Sequence, residues 1–306
     1  MKLGIYLNAQ HPRGDDPARR FAETLEQARV IRALGFDSIW GGEHHATPGF
    51  HYFPLMPMLQ RLAAEAEGLA FGTNLVLLPL HNPVEIAEIA AFLDIATGGR
   101  FTLGIGLGYR SEEFAIFGVR MAERVSRLTE GVELIGRLWT EDAVTHHGRH
   151  WTLDKVTIRP RPLQTPRPLI LVGSQVPAGI ERAARIADGW LVVPVPTIEE
   201  FASQVRIFTA ARTAAGPPRP RSAGSSRCPA RPTRTRRSGG RRLIWWRSTR
   251  RISRGASLAS RSIPPQPPRS SCAGSRGTGS RWAHLRRSPR RSSHKPRPEP
   301  PTPPCA

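Results

Sequence analysis

Glu43-His44-His45 is the stretch of this chain best suited to chemistry. A neutral imidazole at a strand end can accept or deliver a proton near neutral pH, and a carboxylate beside it can fix its tautomer. Adjacent loop residues point in different directions, so one histidine can face a pocket while the other braces. The same residues also read as a solvated polar loop, or as a core histidine with a satisfied hydrogen bond. A metal centre is not expected. The His-His pair lacks the i, i+4 spacing of a helical zinc motif, and no acidic third ligand is evident.

Two small-residue stretches come next. Gly104-Ile105-Gly106-Leu107-Gly108-Tyr109 places alternate glycines at a strand end, so a flat ligand or a packed neighbour approaches the backbone closely. It is not a dinucleotide fingerprint, because Tyr109 stands where the third glycine belongs and residues 110–119 read as a loop. Gly173-Ser174-Gln175-Val176-Pro177 stands ahead of a helix. It is either an anion site at the helix N-terminus or an ordinary turn with Ser174 as a local cap. His146, His147 and His150 fall in a small hairpin over residues 143–153 and read as solvated surface, with Trp151 packing the hairpin down.

The elements that must position these residues alternate between two periods. Strands are expected over residues 3–7, 36–40, 69–78, 100–106, 169–173 and 190–193. Helices are expected over 17–34, 57–66, 83–97, 120–138, 178–187 and 198–214. The first helix carries Phe21, Leu25, Ala28, Ile31 and Leu34 at spacings of three and four, and Gly35 stops it. Serial strand–helix units with nearly continuous apolar strands imply a parallel sheet covered by helices. A doubly wound open sheet and a closed (β/α)8 barrel compete. The polar clusters all lie just past strand ends, where barrels place their chemistry, and this favours the barrel. Six units are legible, and the last two are expected to be missing.

Past residue 215 the chain becomes a different polymer. The chain has 306 residues and a formal net charge of +21. Residues 216–306 hold 22 Arg and Lys295 against Glu299 alone, a net charge of +22, which leaves −1 for residues 1–215. The same segment holds Cys228, Cys272 and Cys305, all the cysteines of the chain, in no metal-binding or disulfide pattern. Its Arg, Pro and Ser content reads as disordered. The expected division is an incomplete barrel over 1–215 and a basic tail over 216–306. The tail is expected to be the product of a shifted reading frame, since a GC-rich gene misread yields these residue types. No apolar run approaches the ~18 residues of a membrane helix. The N-terminus lacks a secretory pattern, so a cytoplasmic protein is expected.

Longer stretches carry a resemblance. GFDSIWGGEHH, then GTNLVLLPLHNPVEIAEIAAFLDIATGGRFTLGIGLGYRSEEFAIFGV, then RPRPLQTPRPLILVGSQ and ARIADGW resemble the bacterial luciferase-like flavin-dependent monooxygenases. That superfamily also contains deazaflavin-dependent reductases and dehydrogenases. The resemblance runs from residue 1 to about residue 215 and implies a (β/α)8 barrel of the TIM type. It implies that His44 handles a proton near the reactive face of a flavin, with Glu43 and His45 flanking it. It further implies that Asn74 and Leu75 form a bulge under the ring, and that Gly106, Tyr109 and Arg110 lie along the ring and ribityl chain. Gly173, Ser174 and Gln175 match the phosphate loop, and Trp190 matches an aromatic just beyond. Leu107 departs from members that place an arginine on the phosphate, a role left to Arg110. Gly173-Ser174 replaces the usual glycine pair.

The implied activity is oxygenation of a small organic substrate with reduced FMN, with a deazaflavin coenzyme as the alternative. The implied partners are that substrate, a separate flavin reductase and, for an intact barrel, further copies of the chain. Two rivals stand beside this reading: a nucleic-acid-associated protein acting through a genuine basic tail, and an inactive product of a damaged gene. Translating codons 200–306 in all three frames is expected to show about two further strand–helix units in another frame. If no other frame alternates in this way, the Arg-rich tail is genuine and the shifted-frame reading fails.

Overall fold

A computed structural model describes residues 2–192 and 197–216. The chain divides into two units, Met1–Arg251 and Ile252–Ala306. The second unit and the expected disordered tail from residue 217 onward, with its three cysteines, lie outside the described residues.

Among the described residues, six parallel strands form the sheet: β1 (Gly4–Tyr6), β3 (Ser38–Gly41), β5 (Ala70–Thr73), β6 (Phe101–Ile105), β9 (Leu169–Ser174) and β10 (Gly189–Val192). They lie side by side in chain order. A doubly wound sheet reverses its strand order at a switch point, and this one does not. The architecture is a parallel half-barrel, with β1 and β10 ending the order among the described residues. Two antiparallel pairs are added: β2 (Gln10–Pro12) with β4 (Phe50–Tyr52), and β7 (Val144–His147) with β8 (Thr152–Val156). The second is the expected hairpin. The first joins segments almost forty residues apart, and no local pattern announces it.

Among the described residues, seven helices cover the sheet or succeed its strands: α1 (Pro17–Ala33), α2 (Leu55–Glu65), α3 (Pro83–Ala96), α4 (Ser111–Ile116), α5 (Arg124–Thr140), α6 (Pro177–Ile186) and α7 (Ile198–Ala215). Their starts obey local chemistry. The Asp16 carboxylate accepts from the Ala18 amide, the Asn82 side chain accepts from Val84, and Thr197 with Glu200 forms a capping box. Pro17, Pro83 and Pro177 stand in first turns, where no amide hydrogen is required. No helix among the described residues is long and apolar enough to cross a membrane.

Three expectations are corrected. The strand expected over 69–78 ends at Thr73, because the chain turns through a cis Asn74–Leu75 peptide and a 3-10 turn at Leu78–Leu80. The loop expected over 110–119 contains α4. Leu34, expected on the buried stripe, is exposed, because α1 ends at Ala33 and Gly35 turns the chain at φ +76°.

Alternation across the sheet separates two cores. Ile39, Phe71 and Phe101 are in register on neighbouring strands and are buried against the helices with Leu103, Ile105 and Ile170. The opposite, inner face holds Trp40, Leu171 and Leu191, with Tyr6 and Leu75 packed on them. Trp40 is in register with Gly72, and a β-carbon at Gly72 would overlap the six-membered ring of Trp40. Replacing Gly72 with Ala is therefore expected to cost about 1–3 kcal/mol through overpacking. Urea unfolding measures this, and an unchanged midpoint would refute the packing argument.

Candidate active site

Because the six strands run parallel, every loop that leaves a strand C-terminus emerges at the same end of the sheet. Strand β3 delivers Glu43-His44-His45, β5 delivers Asn74-Leu75, β6 delivers Gly106, Tyr109 and Arg110, and β9 delivers Ser174 and Gln175.

The loops after β3 and β6 are joined by a residue that the sequence did not single out. Glu113, in the first turn of α4, is completely buried. Its Oε1 accepts hydrogen bonds from His44 Nδ1 at 3.0 Å, the His45 amide at 2.9 Å and Arg110 Nη1 at 3.2 Å. A carboxylate on Nδ1 keeps the proton of a neutral imidazole there and leaves Nε2 as the acceptor. Oε2 of Glu113 is shielded from solvent and has no hydrogen-bond partner among the described residues. The missed signal was a glutamate two residues into a short helix beside the glycine run. Its neighbours Glu112 and Arg110 disguised it as a solvated charge cluster.

His44 lines an open cavity of about 370 Å³, with Gln10, Phe50, Tyr52, Tyr109 and Arg110 in its wall. The rings of Tyr52 and Tyr109 stand edge-on to His44 at 5.5 and 5.8 Å between centroids. Tyr109 is 72% exposed. Burial, reinforced by Tyr6, pushes the Tyr52 phenol up, so it keeps its proton. Gln10 and Phe50 arrive through the β2–β4 pair, which makes that unforeseen ladder part of the cavity wall.

Glu43 and His45 turn away from this cavity, which separates the expected catalytic trio. Glu43 is buried, and its Oε1 accepts from the Leu77 amide at 2.5 Å and from His81 Nε2 at 2.9 Å. His45 Nε2 stands 3.8 Å from the same oxygen, beyond hydrogen-bond distance, so it acts by charge attraction. Burial alone would raise the Glu43 pKa, but His45, His81 and the Leu77 amide pull it down to about 2. Glu43 in turn raises His45. The His45 ring packs on Phe117 at 4.7 Å. Glu43, His45 and His81 thus bring three donor atoms within 4.8 Å of one another, a grouping that chain spacing hid. Two of the three are already joined by a hydrogen bond, so the group acts here as a brace.

The glycines of the floor have one neighbour in common. A β-carbon at Gly106 would stand 2.5 Å from Leu75 Cδ1, and one at Gly173 would stand 2.6 Å from it. The close approach read from the glycine run is met in this structure by Leu75. A flavin fits this arrangement. Leu75 over Gly106 and Gly173 gives a floor flanked by small residues, and Ser174 follows Gly173 at the end of β9 for a polar group. Ser174 Oγ accepts from the Val176 amide at 3.3 Å, a local turn, while Gln175 is exposed.

Two residues with implied cofactor contacts have protein partners in this structure. Trp190 is in register with Val172, which belongs to the helix-side core, and its ring stacks on Phe208 of α7 at 5.9 Å. Its indole N–H donates to the Ser174 carbonyl at 2.9 Å, so it supports the loop from behind. Arg110 stands in the wall of the His44 cavity, held by Glu113 and by the His45 carbonyl at 3.2 Å. Its guanidinium is thus engaged beside His44. Leu107 packs against the helix-side core.

Comparison with known proteins agrees with this geometry. The oxygenase component of a flavin-dependent trigonelline monooxygenase from Acinetobacter baylyi is 33% identical over 200 residues, covering 64% of this chain and 55% of that protein. An F420-dependent glucose-6-phosphate dehydrogenase from Nakamurella multipartita is 36% identical over 177 residues, covering 56% and 51%. The chain thus spans about half the length of these curated relatives. The crystal structure of the monooxygenase RslO1 from Streptomyces bottropensis superposes with a TM-score of 0.62 at 30% identity, covering 73% of this chain and 69% of that one. A family model described as luciferase-like monooxygenase matches residues 1–253, which takes in all the described residues. With its strands in serial parallel order and its polar loops gathered at their C-terminal ends, this chain belongs to the luciferase-like monooxygenase family.

Proposed function

We propose that the chain is the cofactor-binding part of a monooxygenase that uses reduced FMN on a small organic substrate seated in the His44 cavity. The observation that carries this reading is the His44–Glu113 pair at the wall of an aromatic-lined cavity. Bound flavin supplies the electrons that activate oxygen; a deazaflavin would instead supply or take a hydride.

The chain's own residues do the rest. Glu113 holds the Nδ1 proton of His44 and aims Nε2 at the cavity, where it can take a proton from the substrate. When His44 becomes cationic, the buried carboxylate stabilises it. Arg110 offsets the Glu113 charge while His44 is neutral. Tyr52 keeps its proton and remains a hydrogen-bond donor. Phe50, Tyr52 and Tyr109 offer apolar faces and edges to a flat, partly apolar molecule. A separate flavin reductase is the proposed source of the reduced cofactor. The second reading, deazaflavin-dependent hydride transfer, is supported by the similarity to an F420-dependent dehydrogenase.

Trp40 packs with Leu75 on the inner face, so bound cofactor should quench its fluorescence. Titration with reduced FMN and with the deazaflavin coenzyme is expected to give saturable quenching by one of them, FMN under the first reading. Quenching by neither would reject both readings. In the chain that binds, His44→Ala is expected to lower turnover by roughly 100-fold or more. Glu113→Gln is expected to lower turnover with little change in cofactor affinity. Full turnover in both variants would remove the pair from the mechanism.

A further inference from the structure

We infer that Glu43 and His81 are positioning residues that lock the 75–81 segment, and with it the Leu75 floor of the cofactor site. The inference rests on the proposed flavin chemistry of this site, but its structural half stands apart from it. His81 is 38 residues from Glu43 along the chain, and neither lines the cavity beside His44.

Among the described residues, 74–81 have no strand partner over most of their length after β5. The Leu78–Leu80 turn is buried, Arg127 Nε donates to Pro79 O at 2.7 Å, and the main chain before the turn is held at separate points. The Asn74 amide donates to Gly41 O at 2.5 Å. The Val76 amide donates to Gly104 O, and the Val76 carbonyl accepts from Gly106, both at 2.9 Å. The next amide, Leu77, donates to Glu43 Oε1. The same oxygen then takes the His81 ring from the far end of the Leu78–Leu80 turn. One carboxylate oxygen therefore clamps both ends of the turn that comes after Leu75. Leu75 is the residue that lies over Gly106 and Gly173, so any slackening of this turn moves the floor.

Charge makes the clamp selective. Glu43 is buried, and its ion-pair partners are imidazoles, His81 at 2.9 Å and His45 at 3.8 Å. Without the carboxylate, the Leu77 amide would be left buried with no acceptor, which the segment can relieve only by moving. His44 has a separate carboxylate, Glu113, so the clamp can fail while the proton-handling pair stays intact.

The test uses the full chain with Glu43→Ala, Glu43→Gln and His81→Ala. In the cofactor-free chain, backbone hydrogen exchange across 75–81 is expected to speed up about tenfold or more in both alanine variants, from the lost acceptor or donor. Exchange in β6 and β9 should stay as it is. Glu43→Gln should recover most of the protection, because its amide oxygen still accepts from Leu77. Affinity for the cofactor that the unaltered chain binds should fall in parallel, by about tenfold. If Glu43→Ala does not fold, His81→Ala decides by the same two measurements. Folded alanine variants with unchanged exchange over 75–81 would overturn the inference. So would faster exchange with unchanged cofactor affinity. If the unaltered chain binds neither cofactor, the functional reading fails, and the exchange result still decides whether the clamp exists.

Discussion

One oxygen of one buried carboxylate, Glu113 Oε1, holds the end of β3 to the start of α4 through His44, the His45 amide and Arg110. An isolated carboxylate is very costly to bury, and three donors make its burial tolerable. The arrangement runs in both directions. The donors satisfy one Glu113 oxygen inside the protein, and Glu113 fixes where His44 points. Losing either side would leave a buried group unpaired, so the two loops are held as a unit and the cavity keeps its shape.

That unit stands on a sheet whose inner face is built from absences. Gly4, Gly72, Gly104, Gly106 and Gly173 are places where a β-carbon would meet Ser38, Trp40, Thr73 or Leu75. The side chains that fill the half-barrel, Trp40, Leu171, Leu191 and Leu75, take the space these glycines leave. Packing in the inner layer and the floor of the site are therefore one construction. A change made for stability at Gly72 reaches Leu75 through Trp40.

The Glu43-His44-His45 tripeptide illustrates how a strand end divides labour. His44 turns to the cavity and is served by Glu113. Glu43 and His45 turn the other way, where Glu43 meets the Leu77 amide and His81. Two carboxylates from different loops thus take two roles. Glu113 orients a ring that faces the cavity, and Glu43 braces the main chain that follows Leu75. Proteins similar to this chain include a flavin-dependent monooxygenase component and an F420-dependent dehydrogenase.

Much of this was legible in the sequence. Apolar periods and Pro and Gly punctuation placed the helices, because helix stops and burial are decided within a turn or two. Six buried apolar runs announced a parallel sheet, and the tripeptide at the end of β3 pointed to His44. Tertiary structure alone decided the rest. The β2–β4 ladder, the Glu113–His44 bond across 69 residues and the Glu43–His81 bond across 38 have no local signature. Strand register, which the sequence does not display, sets Trp190 beside Phe208 on the helix side. Side-chain type and period belong to a few neighbouring residues and can be read along the chain. Which carboxylate meets which imidazole depends on where parallel strands end in space, and that is fixed only when the sheet is assembled.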